Sequence, residues 1–257
     1  MSTAPQTLYR EPVQLNAQLH RHKKLLPLND FSLLAATHAV FLNAAEFALA
    51  ALAFPIIFLP PSTANPNVSP VVMLGLVPGQ NLFVDGSRWE ASYLPAYFRR
   101  MPYLTAPLPG TDQVGVYIDA QWPTLSDDEG EPLFDEQGNR TAALDQAIAF
   151  LQAFDDEARR THQLCARVQA LGLFTDMKAD VTLPDGQSLS VNGFMVVNEE
   201  KLAGLSDSAV LELNRSGALG MLHAHLLSLG HVRNLVDLLG RRGMPPDAAA
   251  VQTPVLA

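Results

Sequence analysis

His223 and His225 form a His-x-His pair, and two imidazoles that share a face can chelate a metal ion. Sharing a face at that spacing requires a strand, whereas a helix needs i,i+4. The run Leu219-Gly-Met-Leu-His-Ala-His-Leu-Leu-Ser-Leu229 has helical spacing. The two rings then point about 200° apart, one toward a core and one away from it. No His-x-Asp or His-x-Glu occurs in the chain, so the local element of a facial-triad iron site is missing. Cys165, the single cysteine, lies on the apolar side of a helical stretch with nothing nearby to lower its pKa. It reads as a buried, inert thiol, and it excludes an internal disulfide framework. Gly-x-Ser-x-Gly, Gly-x-x-x-x-Gly-Lys-Ser/Thr and Gly-x-Gly-x-x-Gly are all absent. The residues point to no catalytic constellation, no metal site and no cofactor.

Two features ask for partners instead. Glu46 stands in Asn43-Ala-Ala-Glu-Phe-Ala-Leu-Ala-Ala-Leu-Ala53, where burying an unpaired carboxylate is costly, and an arginine would suit it. The segment from Trp89 to Tyr103 packs aromatics and two arginines into fifteen residues. Tryptophan, tyrosine and arginine are the types most enriched at binding hot spots. The candidate binding residues are Glu46, Trp89, Tyr93, Tyr97, Arg99, Arg100 and Tyr103. They could line a groove for a ligand or peptide, or they could close into a core knot in which Arg99 or Arg100 pairs with Glu46.

These residues need elements to hold them. The strongest pattern is a helix over 141–171, where Leu144, Ile148, Leu151, Phe154, Ala158, Thr161, Cys165, Val168 and Leu171 recur at steps of three and four. Thr141 is its N-cap and Gly172 its C′ residue. Helices are also predicted over Ser32–Ala53, ended by Pro55, and over Ser208–Asn214 and Ala218–Leu239. Short runs at Pro55–Leu59, Val71–Val77, Asn81–Val84, Val114–Ile118 and Phe194–Val197 read as strands. Val181–Leu183 and Leu189–Val191 read as a hairpin around Asp185-Gly186. Without a repeating βα rhythm, the class is α+β: a mainly antiparallel sheet packed with a long central helix and C-terminal helices. The expected organisation is an extended N-terminal arm over 1–25, one domain over 26–240 and a disordered tail over 241–257.

Charge narrows the partners. The net charge of −9 lies within Asp112–Arg160, which holds twelve acidic residues against Arg140, Arg159 and Arg160. The remainder is neutral, so there is no basic surface for nucleic acid. The acidic block reads as a solvated face. The apolar stretch Phe31–Leu59 is interrupted by His38, Asn43, Glu46 and Pro55, short of the roughly 18 uncharged residues of a membrane span. No signal-peptide pattern follows the basic residues near the start, so the expected location is cytoplasmic without membrane insertion.

The same residues carry a family resemblance. The pieces are Leu26–Asn29 with His38, Glu46-Phe47, Phe54–Phe58, Leu74–Leu76, Asn81–Phe83, Trp89, Tyr93–Tyr103, Leu133–Asp135, Thr161, Gly217–Leu219 and Ala224–Leu229. In order and spacing they resemble the bacterial SapC family. Met101-Pro-Tyr103 stands where that family tends to have an aromatic-Pro-Phe. The resemblance brings no catalytic residues. It implies an accessory role beside halogenase-like flavoproteins and TonB-dependent receptors. The expected function is therefore a non-catalytic, chaperone-like accessory protein that recognises a peptide, a protein tail or a partner modifying enzyme, possible as a homo-oligomer. Alternatives from other classes are a metal-dependent oxygenase or hydrolase using His38, His223 or His225, and a surface-layer or envelope structural protein.

Overall fold

The computed structural model describes residues 8–244 apart from Ala64, Asp112, Pro184, Asp185 and Gln187. The tail expected over 241–257 lies outside the described residues from position 245 onward, as do the first seven residues of the arm and Asp185 of the hairpin turn. The chain packs as two compact units, Met1–Asp30 with Tyr97–Asp156, and Phe31–Ala96 with Glu157–Ala257.

The long helix runs over Ala142–Ala170, close to the sequence reading. Thr141 caps it by accepting the Leu144 N–H on Oγ1 at 3.3 Å. Gly172 adopts φ +66°, the left-handed geometry that ends a helix cleanly. The helix carries its apolar stripe through the unit boundary between Asp156 and Glu157. Leu144 and Leu151 are buried in the first unit, and Thr161, Cys165 and Val168 in the second.

In the first unit, Pro12–Gln14, Val114–Asp119 and Tyr103–Pro107 form an antiparallel sheet with Val114–Asp119 central. Lys24–Leu25 lies between Leu125–Ser126 and Glu131–Pro132 in a second small sheet. Residues of the expected arm thus enter both sheets. The core gathers Tyr103, Ile118, Leu133, Phe134, Leu144 and Leu151. The acidic block is anchored here by Lys23 to Asp127 at 2.9 Å and by the Lys24 ammonium to the Asp128 carbonyl. Both contacts are exposed and add little stability.

The second unit is built on a five-stranded antiparallel sheet in the order Phe174–Thr182, Ser188–Val197, Ile56–Leu59, Ser69–Met73 and Ala39–Phe41. The expected hairpin is the outer pair, extended to nine and ten residues and absorbing the Phe194–Val197 strand. Helices Asp207–Ser216, Ala218–Ser228 and Val232–Arg242 complete it. A 3-10 turn at Leu229–His231 splits the long C-terminal helix that the sequence suggested.

Three further readings of local structure need correction, and the first is the strand expected over Val71–Val77, which ends at Met73. Ser32–Ala53 is not one helix: it holds 3-10 turns at Ser32–Leu34 and Ala44–Glu46, a strand at Ala39–Phe41 and a single helical turn at Phe47–Ala50. Alanine favours helix, but Ala39–Phe41 completes the sheet edge against Val71–Met73, and tertiary pairing overrides a preference of well under 1 kcal/mol per residue. Asn81–Val84 is a strand only from Val84. Asn81 Oδ1 accepts the Phe83 N–H at 2.9 Å and its Nδ2 donates to the Leu34 carbonyl at 3.1 Å, which folds the chain back in an Asx turn.

Candidate functional site

The seven candidate residues fall into two groups, Glu46, Trp89 and Tyr93 in the second unit and Tyr97, Arg99, Arg100 and Tyr103 in the first.

In the second unit, Asn43 enters the turn at Ala44–Glu46 with extended backbone angles and leaves the Glu46 side chain folded back over it. Glu46 is 6% exposed, and its Oε1 accepts the Tyr93 hydroxyl at 2.7 Å and the Ala96 N–H at 2.7 Å. Its Oε2 accepts the Asn43 N–H at 3.2 Å, the return half of a capping box. Thr161 fixes the same turn, accepting the Ala44 N–H at 2.8 Å and donating to the Glu157 carbonyl at 2.6 Å. Trp89 donates through Nε1 to the Tyr93 carbonyl at 2.9 Å and packs among Phe31, Phe54 and Phe83. The carboxylate therefore ties two distant chain segments, 43–46 and 93–96, into one joint.

That joint makes a direct prediction. Glu46→Gln keeps the shape but sets an amide donor against the Asn43 N–H and removes the charge from the other two bonds. It is expected to lower folding stability by about 2 kcal/mol in urea titration. A loss below about 0.5 kcal/mol would show that the charge does not hold the joint.

In the first unit, the Arg100 guanidinium carbon lies 4.1 Å from the Tyr97 ring centre, 4.6 Å from Phe154 and 6.0 Å from Tyr9. Its Nε is buried and makes no hydrogen bond among the described residues. Next to it, Arg99 is exposed and stands 5.3 Å over the Phe150 ring. The Tyr9 hydroxyl donates to the Tyr103 carbonyl at 2.9 Å. Burial pushes the Tyr9 phenol up to about 12, against the opposing pull of Arg100, and burial alone pushes Tyr103 to about 12. Both phenols stay neutral and present apolar faces, and that of Tyr9 also serves as a donor. The group holds two cations against aromatic rings.

Residues with reactive side chains are otherwise committed. Cys165 is fully buried as expected, and burial pushes its thiol up to about 12, which keeps it protonated. The His-x-His pair divides as the helix geometry demands, with His223 exposed and His225 fully buried. His225 Nδ1 lies 2.8 Å from the Ile56 carbonyl and Nε2 accepts the Val197 N–H at 3.1 Å, so neither nitrogen is left for a metal. Among the described residues no group of three or more His, Cys, Asp or Glu could hold a metal ion, and no helix is long and apolar enough to cross a membrane.

The family model described as SapC matches residues 15–235. The chain belongs to the SapC family. No curated protein and no solved structure matches it. Within this SapC chain the match spans both groups of candidate residues. It also spans two buried polar side chains that sequence reading did not single out, Asp119 and Ser228. Asp119 accepts three backbone N–H bonds, from Arg10, Glu11 and Gln121. Ser228 accepts the Ile56 N–H at 2.9 Å and donates to the His225 carbonyl at 2.6 Å. Only the three-residue spacing from His225 to Ser228 on one helix face hinted at the second.

Proposed function

We propose that this SapC-family chain is a non-catalytic accessory protein that binds a peptide or protein tail at the arginine–aromatic surface of its first unit. The observation that supports this reading is Arg100, whose guanidinium is held between Tyr97 and Phe154 while the residue keeps part of its surface exposed. A cation positioned in advance by rings loses less side-chain freedom on binding, and its fork matches a carboxylate bidentately. Arg99, exposed over Phe150, supplies a second cation beside it. The ligand is accordingly an acidic tail or a chain-terminal carboxylate with an apolar neighbour. A halogenase-like flavoprotein or a segment of a TonB-dependent receptor is the kind of partner that could present it, in the cytoplasm. Glu46, Trp89 and Tyr93 are left out of the binding surface, because their polar atoms are joined to the backbone and to each other.

The test is capture of a partner from native extract, followed by titration of the purified chain with a synthetic peptide of that partner's tail. Arg99→Ala with Arg100→Lys retains charge and fold at position 100 but loses the fork. Peptide affinity should fall at least about tenfold with an unchanged melting curve. Equal affinity of a folded double variant would refute the proposal.

A further inference from the structure

The hairpin of the second unit has two unlike edges. Strand Ser188–Val197 pairs with Phe174–Thr182 over nearly its whole length, but with Ile56–Leu59 only at Met195↔Phe58. Among the described residues, Ser188–Asn192 thus have a strand on one side only. On the hairpin's other edge, Asp176, Lys178 and Asp180 are exposed, and the Lys178 ammonium lies 3.1 Å from Asp180. Charges of that kind are how natural sheets keep an edge from pairing with another chain. The Ser188–Asn192 edge has no charge and no proline. Its exposed positions are Ser188, Ser190 and Asn192, while Leu189 and Val191 are half-buried. One edge carries charges and the other none, its far end marked by the register shift that leaves Asn192 and Gly193 without a partner on Phe174–Thr182.

We infer that the Ser188–Asn192 edge is where two copies of this chain pair, antiparallel and centred on Ser190. An antiparallel pairing about Ser190 sets Leu189 opposite Val191 of the second copy, and Ser188 opposite Asn192. Residues directly opposite share a face. The apolar row already formed by Ala179↔Val191 and Val181↔Leu189 then runs on without a break into the second copy. The polar row of Asp180↔Ser190 and Thr182↔Ser188 continues likewise. An edge free of charge meets itself without like-charge opposition, which a chain of net charge −9 could not offer over its acidic block. A two-stranded ribbon is marginal in water, and doubling it gives four strands with one apolar face. A shift by one residue would set the apolar row against the polar one, so the register is specified.

Sedimentation velocity of the full chain over a concentration series reads the outcome, with amide exchange at Leu189 and Val191 as the local readout. The wild-type chain is expected to sediment as a dimer with those amides protected at high concentration. S188K/N192K places lysine opposite lysine twice and should weaken the dimer at least about thirtyfold. S188K/N192E places lysine opposite glutamate twice and should dimerise close to wild type. Both positions changed are exposed, and equal melting curves for the two variants confirm that the fold is common to both. A wild-type chain that stays monomeric at every concentration overturns the inference, including the case in which another protein's strand protects the edge instead. So does a lysine–lysine variant that remains dimeric, or a lysine–glutamate variant that does not dimerise.

Discussion

Replacing His225 with alanine is expected to lower folding stability by about 4 kcal/mol at pH 7. The ring stands inside a sheet. Met195↔Phe58 is a register pair, and two steps along the same register lies Val197 opposite Ile56. There the strands do not meet directly. Ile56 O and Val197 N are bridged by the two nitrogens of His225, and the Ile56 N–H turns to Ser228 Oγ. A carbonyl can only accept and an N–H can only donate, so Nδ1 carries the proton and Nε2 the lone pair. Alanine would leave an imidazole-sized cavity beside Phe58, whose ring centre is 4.9 Å away, and would orphan both backbone groups. Burial holds this histidine down at about 4, from a usual value near 6.5, against a weaker opposing effect of the bond to Ile56. The unfolded chain therefore takes up a proton below pH 6.5 that the folded chain refuses until about pH 4. The contribution is complete above pH 6.5 and is lost as pH falls through that window, by about 3 kcal/mol in all. His38 and His162 are also held low by burial and act in the same direction, so the informative quantity is the gap between wild type and variant. Urea titrations at steps from pH 7 to 4 should show that gap shrinking. A gap that stays constant would mean that His225 does not bridge the strands in its neutral form.

What could be read in advance divides along sequence distance. The long helix was legible because its stripe, its cap Thr141 and its end Gly172 are all local signals. The hairpin was legible from alternation, though not its full length, since Thr175, Asp176 and Met177 break the apolar pattern without breaking the pairing, and the register shifts at Asn192–Gly193. Helix propensity misled over Ser32–Ala53, because the partner of Ala39–Phe41 is some thirty residues further on, at Val71–Met73. The aromatic–arginine segment stands out by composition, yet the sequence could not show that Arg100 meets Phe154 while Tyr93 meets Glu46. Helical spacing showed that one of His223 and His225 faces inward, but not which, and the partner of His225, Ile56, is 169 positions away. No periodicity reports a bond of that span.

The same limit hid Asp119, whose partner Arg10 is 109 positions away, and Asp119→Ala is expected to lower stability by about 4 kcal/mol. The carboxylate is 1% exposed at the end of strand Val114–Asp119, opposite Pro12 in register. Its Oδ2 accepts the Arg10 N–H at 2.9 Å, and its Oδ1 accepts those of Glu11 at 2.9 Å and Gln121 at 3.0 Å. Hydrogen bonds to an ionised acceptor are each worth about 1.5–3 kcal/mol, and water can reach the partly buried donors in part, which brings the sum down. The three donors point at one buried negative group, so together they offset the cost of burying it. Asn would keep one acceptor but turn an amide donor toward Arg10 or toward the Glu11 and Gln121 pair. Asp119→Asn should therefore recover less than half of what alanine loses. Glutamate reaches too far for the same turn and should not rescue it either. Proline at position 12 cannot donate, so the segment entering the Pro12–Gln14 strand is held at its start by the carboxylate more than by the ladder. Amide exchange checks this directly. In the alanine variant Glu11, Val13 and Gln14 should lose protection while Tyr103–Pro107, on the far side of the same sheet, keeps it. Uniform loss across all three strands would instead show that Asp119 supports the whole unit and not the entry of one strand.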